Sequence, residues 1–243
     1  MKDILKDIIA HTHSLGFLSL VKVTNEEDKT KIETMSEDRT VILMAATKNK
    51  VDEFIGTFGM PNLGLLAFHL KNPEYEKDSV LEIKTDVRKG ETINTHIHFE
   101  NSNGDFENDY RFMNQAHIEE KLKNVKFKGA TWNVELEPAI DSIRRMKLQA
   151  AGNPDELIVN VKTEDGALVM TFGDESSHAG KFIFQSNITG ELKHTWSWPV
   201  AQTLAILSLD GKITMRLSDQ GAMKISVDSG LATYDYILPA QAK

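Results

Sequence analysis

The spacing of apolar and polar positions changes period several times along the chain, and it does so twice in nearly the same order. Residues 2–15 place Ile4, Leu5, Ile8, Ile9, Thr12 and Leu15 on one side of a helical period, which predicts an amphipathic helix. Strand-like stretches follow at 17–24, 30–36, 40–47 and 53–60. Pro61-Asn62 then opens a short helix running to Leu70. Three more strands are predicted at 79–86, 92–100 and 105–112. The middle one sets Ile93, Thr95, Ile97 and Phe99 against Asn94, His96, His98 and Glu100.

The second half repeats this order. Trp132, Val134 and Leu136 share one face of a strand at 131–137, and Glu137-Pro138 introduces a helix over 138–151 that Gly152-Asn153-Pro154 stops. Leu157, Val159 and Val161 alternate with polar residues, and Asp165-Gly166 turns the chain into Ala167–Phe172 as a hairpin. Strands at 181–187 and 192–198 precede a helix at 199–208. Three closing strands then carry Ile213, Met215 and Leu217, next Met223, Ile225 and Val227, and last Tyr234, Tyr236 and Leu238. Residues 113–130 show neither period and carry mixed charge, so they read as a connector. The pattern predicts an α+β pseudo-duplication of two domains, 1–112 and 131–243, joined by 113–130, each with two helices packed on antiparallel sheets.

Composition narrows the chemistry. The 243 residues include no cysteine, which removes disulfides, thiolate metal sites and cysteine nucleophiles, and points to a reducing, cytoplasmic setting (host cytoplasm for a viral chain). Asp3, Lys6 and Asp7 interrupt the first apolar stretch, so no signal-peptide core is expected. No apolar run reaches the roughly 18 residues of a membrane span, so no membrane partner is expected either. No phosphate-binding glycine loop, dinucleotide fingerprint, zinc-protease helix or nucleophile elbow is present. His96 and His98 share a strand face, but a solvated polar face accounts for them, because zinc needs three or four convergent ligands. Trp196 and Trp198 read as core. No catalytic group, metal or cofactor is assigned; an enzyme remains conceivable only with a site built from scattered groups.

The charge distribution raises a different question. Thirty-six acidic residues face 28 basic ones, a formal charge of −8, yet Arg144, Arg145 and Lys147 crowd one helix. Lys2 and Lys6 oppose the apolar stripe of the first helix, and Lys71 closes the second. On a helical wheel Ile140, Ile143, Met146 and Ala150 gather opposite Arg145 and Gln149, and Lys147 falls nearer the apolar side. Such cations are either an ordinary solvated face or a local surface for an anionic partner.

The repeated order of elements, together with three stretches, resembles the DNA sliding clamps of T-even-type bacteriophages and proliferating cell nuclear antigen. The stretches are 34-TMSEDRTVILMAATKN-49, 138-PAIDSIRRMKLQAAG-152 and 212-KITMRLSDQGAMKISVDSGLATYDYILPA-240. The resemblance implies a homotrimeric ring that encircles duplex DNA without sequence preference, tethers a replicative polymerase and is opened by an ATP-dependent loader. It implies DNA-facing roles for Lys2, Lys6, Lys71, Arg144, Arg145 and Lys147. It implies a partner-peptide pocket at Met35, Val41, Val125, Phe127, Ile237, Leu238 and Pro239. Subunit contact through Tyr110 and Phe112 of one chain and Phe182 and Phe184 of the next is likewise implied. The alternative expectation is an accessory factor of the same fold that binds DNA electrostatically as a monomer or dimer.

Overall fold

The structure, a computed structural model, describes residues 1–88, 90–123, 127–173 and 179–241. It divides into two compact units. The first comprises Met1–Glu37, Leu43–Lys126 and Gly230–Tyr234; the second comprises Asp38–Ile42, Phe127–Ser229 and Asp235–Lys243.

The first unit begins with α1 (Lys2–Ala10), which buries Ile4, Leu5, Ile8 and Ile9. It is shorter than its periodicity suggests. The Thr12 hydroxyl bonds back to the Ile8 carbonyl, a 3-10 turn takes over at His13–Leu15, and Gly16 adopts the left-handed conformation at φ 87° that closes the turn. Strands β1 (Val21–Asn25), β2 (Thr30–Met35), β3 (Ile42–Thr47) and β4 (Thr57–Met60) run in the order β4-β1-β2-β3. Val23 stands opposite Ile32 on one side and Phe58 on the other, so an apolar row crosses the sheet. Helix α2 (Leu63–Lys71) packs on α1, burying Leu63, Leu66, Ala67, His69 and Leu70.

A three-strand sheet follows, β5 (Val80–Arg88), β6 (Glu91–Glu100) and β7 (Glu107–Arg111), in that order. Its register slips at one point. Lys84 faces His96 while Thr85 faces Asn94, which leaves Thr95 as an extra residue on β6. The bulge turns Asn94 inward, where it is 7% exposed, so it leaves the polar face on which alternation had placed it with His96 and His98. The stretch read as a connector, with neither period, contains a helix, α3 (Gln115–Lys121). The Asn114 carboxamide oxygen caps it by accepting from the His117 amide at 3.0 Å. Ile118 and Leu122 are its buried anchors, too few to write a period.

The second unit holds β8 (Val134–Leu136), α4 (Ile140–Gly152), β9 (Ile158–Glu164), β10 (Ala167–Phe172), β11 (Gly180–Gln185), β12 (Trp196–Pro199) and α5 (Val200–Leu207). The closing meander is β13 (Lys212–Ser218), β14 (Ala222–Asp228) and β15 (Ala232–Pro239), whose residues through Tyr234 belong to the first unit. One sheet runs β11-β10-β9-β12, and β15-β14-β13-β8 is the order around the meander. Trp198 is fully buried and donates its indole N–H to the Leu238 carbonyl at 3.0 Å, whereas Trp196 is half-buried over Gly221. Helix α4 packs on β11 and α5 with Ser142 and Met146 inward. It is therefore rotated from the helical-wheel expectation. Ile140 is 87% exposed, Lys147 is exposed, and Gln149 is half-buried beside β11, with Ser142 reaching toward Gln185 at 3.4 Å.

Candidate nucleic-acid and subunit-contact surfaces

The six cations do not behave alike. Lys2 is half-buried and gives its ammonium to the Tyr75 carbonyl at 2.6 Å. Lys6 and Lys71 are exposed and line one groove of about 450 Å3 between α1 and α2, floored by Ile9, Ala67 and Leu70. On α4, Arg144 is exposed and paired with Asp141 at 3.2 Å. Lys147 makes no ion pair with a described residue. Arg145 leans across β11: one guanidinium nitrogen donates to the Ile183 carbonyl, and the cation lies 5.7 Å from the centre of the Phe182 ring. Lys6, Lys71, Arg144 and Lys147 can therefore meet a phosphate without first breaking a backbone bond. Helix α5 contributes no cation.

The four aromatics expected at a subunit contact mostly face inward. Tyr110 (1% exposed) sends its hydroxyl to the Pro61 carbonyl, and burial pushes its phenol well above the usual range. Phe184 (1%) and Phe182 (9%) are core, and Phe112 is half-buried against Phe58 at 4.5 Å. Yet β7 and β11 each end a sheet, and strand alternation gives their outward faces to other residues. On β7 these are Glu107, Asp109 and Arg111; on β11 they are Lys181 and Ile183, the latter 46% exposed. Alternation already separates these faces, with Glu107, Asp109 and Arg111 against Phe106, Tyr110 and Phe112 at β7 and Lys181 against Phe182 and Phe184 on β11; the contact role of the aromatics came from the resemblance alone. Beside β7 a groove of about 440 Å3 is lined by Leu65, Tyr110, Phe112 and Met113, with His117 and Lys121 at its rim.

The outer face of β6 and β7 is a polar cluster. His98 meets Asp109 at 3.0 Å through one ring nitrogen and Glu100 at 3.5 Å through the other, and His96 reaches Asp109 at 3.5 Å. The Asp109 hydrogen bond raises the His98 pKa against the opposing effect of burial, and the same bond holds Asp109 below the usual carboxylate range. Among the described residues no group of three or more His, Asp or Glu could hold a metal ion.

The expected peptide pocket is dispersed by burial. Val41 and Leu238 have no exposed surface and Ile237 has 3%, so in this chain they fill core. Met35 and Pro239 are half-buried, and Val125 lies outside the described residues. Phe127 is also half-buried and sits 6.1 Å from Trp132, whose ring has the Lys224 ammonium 6.0 Å away. Lys224 lies far from Phe127 in sequence, and Trp132 had been read only as one apolar position of the strand at 131–137.

These sheets and helices form an α+β architecture of several antiparallel sheets that resembles a clamp. The chain is similar to the structure of the C-terminal region of FEN-1 bound to A. fulgidus PCNA, with a TM-score of 0.68 and 12% identity over 100% of this chain and 95% of that one. It is also similar to PCNA from Thermococcus kodakaraensis, with a TM-score of 0.68 and 11% identity over 99% of this chain and 97% of that one. No family model and no curated protein matches the sequence. At these identities the likeness carries the fold.

Proposed function

We propose that the protein is a sliding clamp, a processivity factor that closes as a homotrimeric ring around duplex DNA and tethers a replicative polymerase. The observation that carries the reading is the end-to-end likeness to PCNA, which leaves neither chain with a large unmatched part. An ATP-dependent loader would open the ring.

Such a ring needs only weak, sequence-independent contact with its track. Exposed cations touching phosphate give that contact, with salt sensitivity and no base reading. Lys6, Lys71, Arg144 and Lys147 suit it, and an overall charge of −8 keeps DNA from adhering elsewhere. The open edges β7 and β11 suit the subunit joint. One presents Glu107, Asp109 and Arg111 outward, the other Lys181 and Ile183, and antiparallel pairing between copies would satisfy both rows of backbone groups. In the A. fulgidus structure the C-terminal region of FEN-1 is bound to PCNA. By extension, an apolar peptide anchor would dock on this chain, and half-buried Phe127 and Trp132 offer it a place.

The test combines native mass with topology. A mass of three times the 27.3-kDa chain, with retention on circular but not linear DNA after loading, is the expected result. A 27.3-kDa species at micromolar concentration that leaves circular and linear DNA equally fast would sink the ring and favour a non-encircling accessory factor.

A further inference from the structure

The three-strand sheet has a second end, β5, that neither the DNA surface nor the β7 and β11 edges use. Its sequence, VLEIKTDVR, puts Leu81, Ile83, Thr85 and Val87 on one side and Glu82, Lys84, Asp86 and Arg88 on the other. The charged row is internally paired, Lys84 to Glu82 at 2.6 Å and Arg88 to Asp86 at 3.1 Å.

Strand β13 shows what covering such an edge does. There β8 lies alongside, with Leu136 opposite Met215, Glu135 opposite Arg216 and Val134 opposite Leu217, and neither Met215 nor Leu217 has exposed surface. No described strand takes that place beside β5. Leu81 and Ile83 stay half-buried, and Val87 is 67% exposed. A nine-residue edge with an unused row of backbone groups is a template for another strand.

The charge order decides which strand fits. A two-fold axis through Thr85 lays β5 antiparallel on a second β5. Glu82 then faces the second copy's Arg88, Lys84 faces its Asp86, Ile83 faces its Val87, and Thr85 faces itself. Symmetry gives each unlike pair twice, and every pair falls on one face because its members share parity. Moving the axis to Lys84 sets Glu82 against Asp86, and moving it to Asp86 sets Lys84 against Arg88. Only the Thr85 register opposes every charge with its opposite.

We propose that the β5 edge is a two-fold docking site for a second copy of this chain, centred on Thr85. It is independent of the ring reading: the contact joins one chain to one other, so it makes a dimer of a single chain and links trimers through their three β5 edges. A single strand pair is a small interface, so the association is concentration-dependent.

Native mass measured across a dilution series tests this directly. The expected result is a mass that rises above the base mass with concentration, to twice it for a single chain, lost in Arg88→Glu, which sets Glu against Glu82, and restored in the Glu82→Arg/Arg88→Glu swap. The cysteine-free chain adds a second readout. Directly opposed residues of an antiparallel pair sit about 4.5–5.5 Å apart at Cα, within disulfide reach. Under mild oxidation Thr85→Cys should cross-link two copies about tenfold faster than Val87→Cys, which faces Ile83 instead. A base mass that never rises with concentration, a rise that survives Arg88→Glu, or equal cross-linking at the two positions each overturns the proposal. Base mass itself reports on the ring separately.

Discussion

Strands β7 and β11 are both open edges of about the same length, yet they are held by opposite means. Strand β11 rests on an apolar layer: Phe182 and Phe184 point inward, Phe172 stacks on Phe182 at 6.4 Å, and α4 packs against the strand with Arg145 bridging to it. Outside, Glu164 is gripped by Lys162 and Lys181 and held down to about 2. Strand β7 has one large inward anchor, Tyr110, and otherwise depends on polar contacts, the Tyr110 hydroxyl to Pro61 and the His98–Asp109 pair. An edge kept straight by packing is insensitive to solution conditions. An edge kept straight by titrating groups is not.

The largest difference should appear when the inward anchors are cut. Phe184→Ala is expected to destabilise its unit by about 3–5 kcal/mol, as for a buried aromatic that leaves a cavity. Tyr110→Phe keeps the ring and removes one hydrogen bond, for about 1 kcal/mol. Denaturant unfolding of the two variants measures both. Equal losses would show that one hydroxyl holds β7 as firmly as a buried ring holds β11, and the contrast would fall.

A smaller effect separates two neighbouring arginines. Arg145→Ala removes the bond to the Ile183 carbonyl and the contact with Phe182, which together stabilise by about 1 kcal/mol. Arg144→Ala breaks only a surface pair with Asp141, where both partners are more than half exposed, and should change stability by less than about 0.5 kcal/mol. If Arg144 meets phosphate in the clamp, its removal should nonetheless weaken processive synthesis as salt rises. Equal melting losses, or no salt-dependent defect in Arg144→Ala, would undo the division of labour on α4.

Much of the fold was legible because it is written in periods. The Ile97 and Phe99 alternation on β6, the turn at Asp165-Gly166 and the three-strand ending all reappear where the sequence placed them. What escaped was set by contacts that no local period records. Helix α3 has Ile118 and Leu122 as its anchors and an Asn114 cap, too short a signal beside Glu119 and Glu120. The bulge at Thr95 follows from pairing with β5 and turned Asn94 inward. The rotation of α4 follows from β11 and α5, which take Ser142 and Gln149 rather than Ile140. Among candidate residues, sequence nominated the cations and the two edge strands. It could not tell that Arg145 is bound to a carbonyl, or that the Leu238 carbonyl accepts the Trp198 indole N–H.

The smallest expected effect is the most specific to β7. Folding raises the His98 pKa, chiefly through the Asp109 hydrogen bond, so the folded imidazole holds its proton more tightly than the unfolded one. The stabilisation is therefore complete below the ordinary value of 6.5 and is lost as pH climbs through the raised folded value. Asp109, lowered chiefly by the same bond, contributes above its ordinary 3.8 and loses that contribution as pH falls. The two together give β7 its tightest hold in mildly acidic solution, with Lys84 opposing the His98 charge and Glu100 and Glu107 favouring it. Because His98 is partly solvated, the effect is modest. Amide exchange in residues 96–111 should quicken between about pH 6 and 8 beyond its intrinsic base dependence. That excess should vanish in His98→Gln, while exchange in β11, whose sequence GKFIFQ carries no histidine, shows none. A matching excess in β11 would mean that the His98–Asp109 pair is not its source, and that the two edges answer to pH alike.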